Sequence, residues 1–148
     1  MAMALRGAYL VMHRLSDGAL AGDGVTADQF VVLSVLADED RVTQQALVRL
    51  TSSDPNTMRA MLVLLEKRGL VRRERHPADG RARSVVLTPK GRKMYGRLWT
   101  RSRGVREQLE GLFAADESRR LVEFLRRIAG HGKPSERARE RSQRRLAT

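Results

Sequence analysis

Between Leu70 and Thr88 the hydrophobic period of this chain changes, and that change limits the fold more than any other feature. Upstream, apolar residues recur every three or four positions. Here two short runs, Leu70 to His76 and Arg83 to Thr88, read as strands, joined by Pro77-Ala78-Asp79-Gly80 with its Asp-Gly hairpin signal. A helix start of one kind stands on each side of this hairpin: Asp54-Pro55 before it and Thr88-Pro89 after it. The Asp or Thr side chain accepts from free N–H groups of the first turn, and proline suits the next position because its missing N–H would be unpaired there. A single hairpin set among helices is the resulting frame.

The remaining chain reads as helix. Leu5, Ala8, Met12, Leu15 and Ala19 give a first amphipathic helix over about 4–20, broken by Gly22 and Gly24. Thr26 and Gln29 have capping-box spacing and open a second helix through Phe30, Leu33 and Leu36, which stops at Asp38-Glu39-Asp40. A short helix from Thr43 to Leu50 puts Ala46, Leu47 and Leu50 on one face. The helix after Pro55 carries Met58, Met61, Leu62 and Leu65 inward and ends at Gly69, a C′ residue. From Thr88 one long helix is expected through Met94, Leu98, Val105 and Leu109 to about Phe113, spanning about 37 Å. A last helix over 116–129 aligns Leu121, Phe124, Leu125 and Ile128, with Gly130 as its stop. The fold class is mainly α with a small β-hairpin wing. One domain over 1–130 and a basic tail over 131–148 are expected.

Charge narrows the function. The 148 residues carry 29 basic and 17 acidic side chains, a formal charge of +12. Residues 1–53 are slightly acidic, whereas 66–93 hold ten basic and three acidic side chains, and the tail is again basic. A block this dense points to phosphate rather than to general solubility. The absence of cysteine excludes a disulfide scaffold, a thiolate metal site, a cysteine nucleophile and a thiol redox sensor. His13, His76 and His131 are dispersed without ligand spacing, and no glycine-rich phosphate loop or nucleophile elbow occurs. The acidic turn Asp38-Glu39-Asp40 reads as solvated. Neither an enzyme nor a cofactor is expected. No apolar run has the length of a membrane span and no secretory pattern opens the chain, so a cytoplasmic protein with no membrane partner is the expectation.

Short helix, polar turn and helix together form a helix-turn-helix, which the hairpin extends to a winged helix. Such a unit lays the first turn of its second helix against base edges in the major groove. The residues there are Asn56, Thr57 and Arg59, of types that pair with adenine, touch a methyl or hydroxyl acceptor, and fork onto guanine. Ser53 at the positive end of that helix suits a phosphate. Each of these could instead be an ordinary first-turn or solvated residue, and the hairpin a charged edge. The combination with Arg72, Arg73, Arg75, Arg81 and Arg83 on one short hairpin favours double-stranded DNA, since a phosphate or minor groove would relieve their repulsion.

Three segments carry a family resemblance. The run from Asp79-Gly80-Arg81 to Leu87-Thr88-Pro89-Lys90-Gly91 is similar to the wing pattern of the MarR family of bacterial transcription regulators. Leu65-Glu66-Lys67-Arg68-Gly69-Leu70-Val71 resembles the end of that family's recognition helix, and Thr26-Ala27-Asp28-Gln29-Phe30 its second-helix opening. The resemblance covers about residues 5–130. It implies a homodimer closed by the helices over 4–20 and 89–130, with a DNA-binding lobe over 26–90. It implies reading positions at Asp54, Pro55, Asn56, Thr57 and Arg59, and a wing arginine at Arg81 oriented by Asp79, with Arg83 the other candidate for the minor groove. Thr43, Gln44 and Arg75 complete the expected contacts. The family often takes a small aromatic or phenolic effector, and Tyr9, His13, Phe30 and Ser34 are placed to line that pocket. A repressor on a pseudo-palindromic operator is the reading. The alternatives are an architectural or nonspecific nucleic-acid binder without effector and a winged helix used for protein contacts only.

Overall fold

The computed structural model describes residues 1–75 and 83–131. Helices α1 (Ala2–Leu20), α2 (Ala27–Asp38), α3 (Gln44–Thr51) and α4 (Pro55–Lys67) precede the hairpin, and α5 (Pro89–Arg101), α6 (Arg103–Glu110) and α7 (Ala115–His131) follow it. The strands are β1 (Val42–Thr43), β2 (Val71–Arg75) and β3 (Arg83–Leu87), with a one-turn 3₁₀ segment at Ala21–Asp23. The chain divides into two units, Met1–Gln108 and Leu109 onward.

Local chemistry explains most boundaries. The Thr26 hydroxyl accepts from Gln29 N at 3.2 Å while the Gln29 side chain accepts from Thr26 N at 3.3 Å, a complete capping box. Thr43 caps α3 by accepting from Ala46 N, and Thr88 caps α5 by accepting from Gly91 N. Gly69, at φ +70°, closes α4 in the left-handed region that a Cβ would disfavour.

The first unit is built around one core. Leu33 and Leu36 of α2, Leu47 of α3, Met58, Leu62 and Leu65 of α4, Val85 of β3, and Met94 and Leu98 of α5 are buried together with Leu20, Val42 and Leu70. The sheet is antiparallel in the order β1-β3-β2. β2 pairs with β3 from Val71↔Leu87 to Arg75↔Arg83, so the hairpin register is set at both ends of the described strands.

The structure departs from sequence expectation in several places. A third strand exists, because Val42 and Thr43 pair with Val85 and Ser84. The long helix after Thr88 bends at Ser102: its N–H returns to Leu98 O, its buried hydroxyl donates to Trp99 O, and Arg106 reaches back to the same carbonyl at 2.9 Å. Such local side-chain bonds bend a helix without ending its ladder: Ser102 takes φ −79° and ψ +2°, and Arg106 N still returns to Ser102 O at 3.1 Å across the junction. Gly130 does not stop α7, which runs through it to His131 with no atom within 4 Å of where its Cβ would lie. Leu50 is exposed, while Leu47 alone of α3 is fully buried. On α1 only Leu20 is buried; Ala8 and Met12 face solvent. His76 and the turn Pro77-Ala78-Asp79-Gly80 lie outside the described residues. In the second unit, α7 carries its expected stripe of Leu121, Phe124, Leu125 and Ile128, all exposed in the lone chain. No single helix among the described residues is long and apolar enough to cross a membrane.

Candidate nucleic-acid interface

α3 and α4 meet at a turn shaped by backbone conformation. Ser52 takes φ +52°, the one non-glycine at positive φ among the described residues, and this reverses the chain within two residues. Ser53 N then returns to Val48 O at 3.1 Å. Asp54 follows as N-cap, its Oδ1 accepting from Asn56 N at 2.8 Å and Thr57 N at 3.1 Å. One carboxylate oxygen thus satisfies two of the three free N–H groups that Pro55 leaves at the start of α4, and adds negative charge at the positive helix end. Buried Met58, Leu62 and Leu65 anchor the opposite face in the core. Pro55, Asn56, Thr57 and Arg59 are all exposed as a consequence, and Arg59 makes no ion pair among the described residues.

The other expected DNA contacts are placed unequally. Thr43, Gln44 and Ser53 are half-buried at the start of α3 and in the turn, with the Thr43 hydroxyl occupied by its cap. Arg75 and Arg83 are exposed cross-strand partners, two like charges directly opposite. Asp79 and Arg81 fall outside the described residues. Arg72 and Arg73 belong to a different arrangement. Glu74 accepts from Arg72 at 2.7 Å and from Arg41, ahead of β1, at 2.9 Å, while Arg73 lies 3.6 Å from Glu66 of α4. The hairpin therefore offsets part of its own repulsion, and among its described residues Arg75 and Arg83 make no ion pair.

A second cluster holds α4 in place. The Asp23 carboxylate, only 4% exposed, lies 3.1 Å from Arg97 Nε and 2.8 Å from Arg101 Nε, both on α5. Arg68, at the C-terminal end of α4, donates to Asp23 O at 2.9 Å and to Gly24 O. Lys90 adds a bond to Arg68 O at 2.8 Å. The end of α4 is thereby tied to the loop before α2 and to α5. Sequence reasoning missed this cluster, whose only local signal is an aspartate between two glycines.

The four residues expected to line an effector pocket separate into two pairs. Tyr9 and His13 on α1 have ring centroids 5.5 Å apart. His13 is bracketed by Asp17 at 3.0 Å and Asp28 of α2 at 3.5 Å, and Asp17 also accepts from Ala27 N at 2.7 Å. Phe30 stacks on Tyr95 of α5 at 6.0 Å, and the Ser34 hydroxyl is spent on Phe30 O at 2.9 Å. Tyr95 continues to Trp99 at 6.1 Å, over whose ring the Arg106 guanidinium sits at 3.7 Å. This contact is a close cation–π geometry. Tyr95, Trp99 and Arg106 were not anticipated, because nothing in their spacing marks them as neighbours of Phe30.

Comparison with known proteins agrees with this geometry. A model of the MarR family matches residues 23–82. The transcriptional regulator HosA of Escherichia coli is 34% identical over 116 residues, covering 78% of this chain and 81% of HosA. Among solved structures, the transcriptional repressor CouR, bound to a 23-mer DNA duplex, superposes with a TM-score of 0.78 at 29% identity, covering 87% of this chain and 92% of that CouR chain. BpsR of Bordetella bronchiseptica, whose DNA binding is regulated by 6-hydroxynicotinic acid, gives 0.78 at 28% identity, with 87% and 92% covered. With a winged helix-turn-helix whose reading turn is capped and exposed, and with relatives aligned over most of their length, this chain belongs to the MarR family of DNA-binding transcription regulators.

Proposed function

We propose that two copies of this chain bind a pseudo-palindromic operator and repress transcription by excluding polymerase from the promoter. The observation that carries this reading is the capped first turn of α4, which holds Asn56, Thr57 and Arg59 in solvent opposite the buried face of Met58, Leu62 and Leu65. Asn56, Thr57 and Arg59 read base edges, while Thr43, Gln44, Ser53, Asp54 and Pro55 line the same surface beside the phosphates. Arg75 and Arg83, with Arg81 and Asp79 between them in sequence, meet the minor groove and its phosphates.

The dimer is supported by apolar side chains that a lone chain leaves in water. α1 exposes Leu10, Val11 and Met12, and α7 exposes Phe124, Leu125 and Ile128. Burying such faces against a second copy is worth about 25 cal/mol per Å² of apolar surface. Two recognition helices about 34 Å apart would then meet half-sites one DNA turn apart. CouR is named a repressor, and BpsR answers to an aromatic acid. By analogy an aromatic or phenolic effector would engage Tyr9, His13, Phe30 and Ser34, next to Tyr95 and Trp99. Release requires that this ligand bind the DNA-incompetent spacing of the two α4 helices more tightly than the competent one.

The test is fluorescence anisotropy of the full chain on the DNA upstream of its own coding region, with random duplex as competitor, over about 50–200 mM salt. A preference of roughly 10³ or more over random DNA is expected. Tight binding without preference would replace this reading with an architectural one, and no binding to either duplex would end it.

A further inference from the structure

The outward face of α4 holds more than its first turn. Asn56, Ala60, Val63 and Lys67 follow one another at i, i+4, i+7 and i+11, a single stripe opposite buried Met58, Leu62 and Leu65. Its two ends are polar and basic, and Arg59 flanks it. Its middle is apolar: Ala60 is exposed, and Val63 is 49% exposed. A β-branched residue at that position weakens the helix slightly and leaves hydrocarbon in water, so neither helix formation nor solubility explains it. The one acidic residue near the stripe, Glu66, is turned to Arg73 at 3.6 Å.

The major groove offers one apolar group at its floor, the C5-methyl of thymine, and small apolar side chains are its complement. From Asn56 to Val63 the helix rises about 10 Å, the height of roughly three base pairs. Ala60 adds no bulk that would hold the backbone away from the groove. We infer that Ala60 and Val63 read thymine methyls, so that each half-site carries thymine one to three base pairs beyond the pair met by Asn56. This inference rests on the proposed seating of α4 in the major groove and adds the base class that its middle selects.

The experiment begins by recovering the operator from a random duplex pool with the full chain. Each thymine of the recovered site is then replaced by deoxyuridine, which removes the methyl and nothing else. For the natural chain, one or two thymines per half-site should each weaken binding by about four-fold, the worth of one buried methyl-sized group, and by about fifteen-fold when both half-sites are changed. Val63→Ser and Val63→Asn, which carry no methyl, should bind the thymine operator more weakly and lose the uracil sensitivity of the thymine that Val63 meets, while their thermal unfolding stays at that of the natural chain. Indifference of the natural chain to uracil at every thymine, with Arg59→Ala still weakening binding, would overturn methyl reading and leave the seating of α4 intact. Undiminished uracil sensitivity in both Val63 variants would assign the methyls to another element and overturn the inference equally. If Arg59→Ala and the Val63 variants all leave affinity and preference unchanged, or if the pool yields no operator, the seating of α4 falls first and the inference with it.

Discussion

Gly91→Ala should be a severely damaging single-methyl change. Gly91 lies in the first turn of α5, buried where that helix crosses the start of β2. A Cβ there would sit 1.9 Å from Leu70 O, 2.9 Å from Leu70 C and 3.2 Å from Leu87 Cδ2. An ordinary carbon–oxygen approach is about 3.3 Å, so helix and strand must part by roughly 1.4 Å. The obstacle is backbone, which no rotamer change removes. Separation also strains the junction that Thr88 ties: its hydroxyl donates to Gly69 O at 2.6 Å and accepts from Gly91 N at 3.0 Å, and its N–H bonds Leu70 O at 3.1 Å. Overpacking of about 1–3 kcal/mol and the loss of one or two bonds at about 1 kcal/mol each give a destabilisation of about 2–5 kcal/mol. Gly96, five residues along the same helix, has no atom within 4 Å of its Cβ position. Gly96→Ala should therefore stabilise by about 0.5–1 kcal/mol through helix propensity. Urea unfolding at one fixed protein concentration separates the two, with Gly91→Ala lowering the midpoint by about 1–2 M. A Gly91→Ala midpoint equal to that of the natural chain would refute the packing argument, because the same substitution five residues on controls for propensity.

Two further changes test the supports of the reading helix. Asp54→Ala removes the acceptor of Asn56 N and Thr57 N and should lower stability by about 1–2 kcal/mol, with Asp54→Ser restoring most of it; chemical denaturation and DNA affinity should fall and recover together. Asp23→Ala strips two arginines of their shared carboxylate, but both guanidinium groups are about half exposed and can be rehydrated, so about 1–2 kcal/mol is expected rather than the larger loss of a fully buried pair. That difference should narrow in high salt, and a loss independent of salt would assign it to packing instead.

The helix starts were legible because each is written within four residues. Thr26 with Gln29, Asp54 with Pro55 and Thr88 with Pro89 state their own hydrogen bonds, and the structure makes them. The exposure of Asn56, Thr57 and Arg59 was equally legible, since burying Met58, Leu62 and Leu65 on a helix leaves those positions outside. Periodicity failed where a stripe met no partner within the lone chain, as with Met12 on α1, and it does not register a bend that leaves the helical bonds in place, as at Ser102 between α5 and α6.

What the sequence determined by itself is thus the element types, their caps, the winged arrangement and the face that α4 turns outward. Tertiary structure alone decided that Val42 and Thr43 join the sheet, that Glu74 is shared by Arg72 and Arg41, that Asp23 gathers Arg97 and Arg101, and that Gly91 must stay bare. Asp23 and Arg97 are 74 residues apart, and each is an unremarkable polar residue in its own segment. The physical reason is range: caps and helix faces are satisfied within a turn or two of chain, whereas ion pairs and close backbone approaches exist only after packing brings distant segments together.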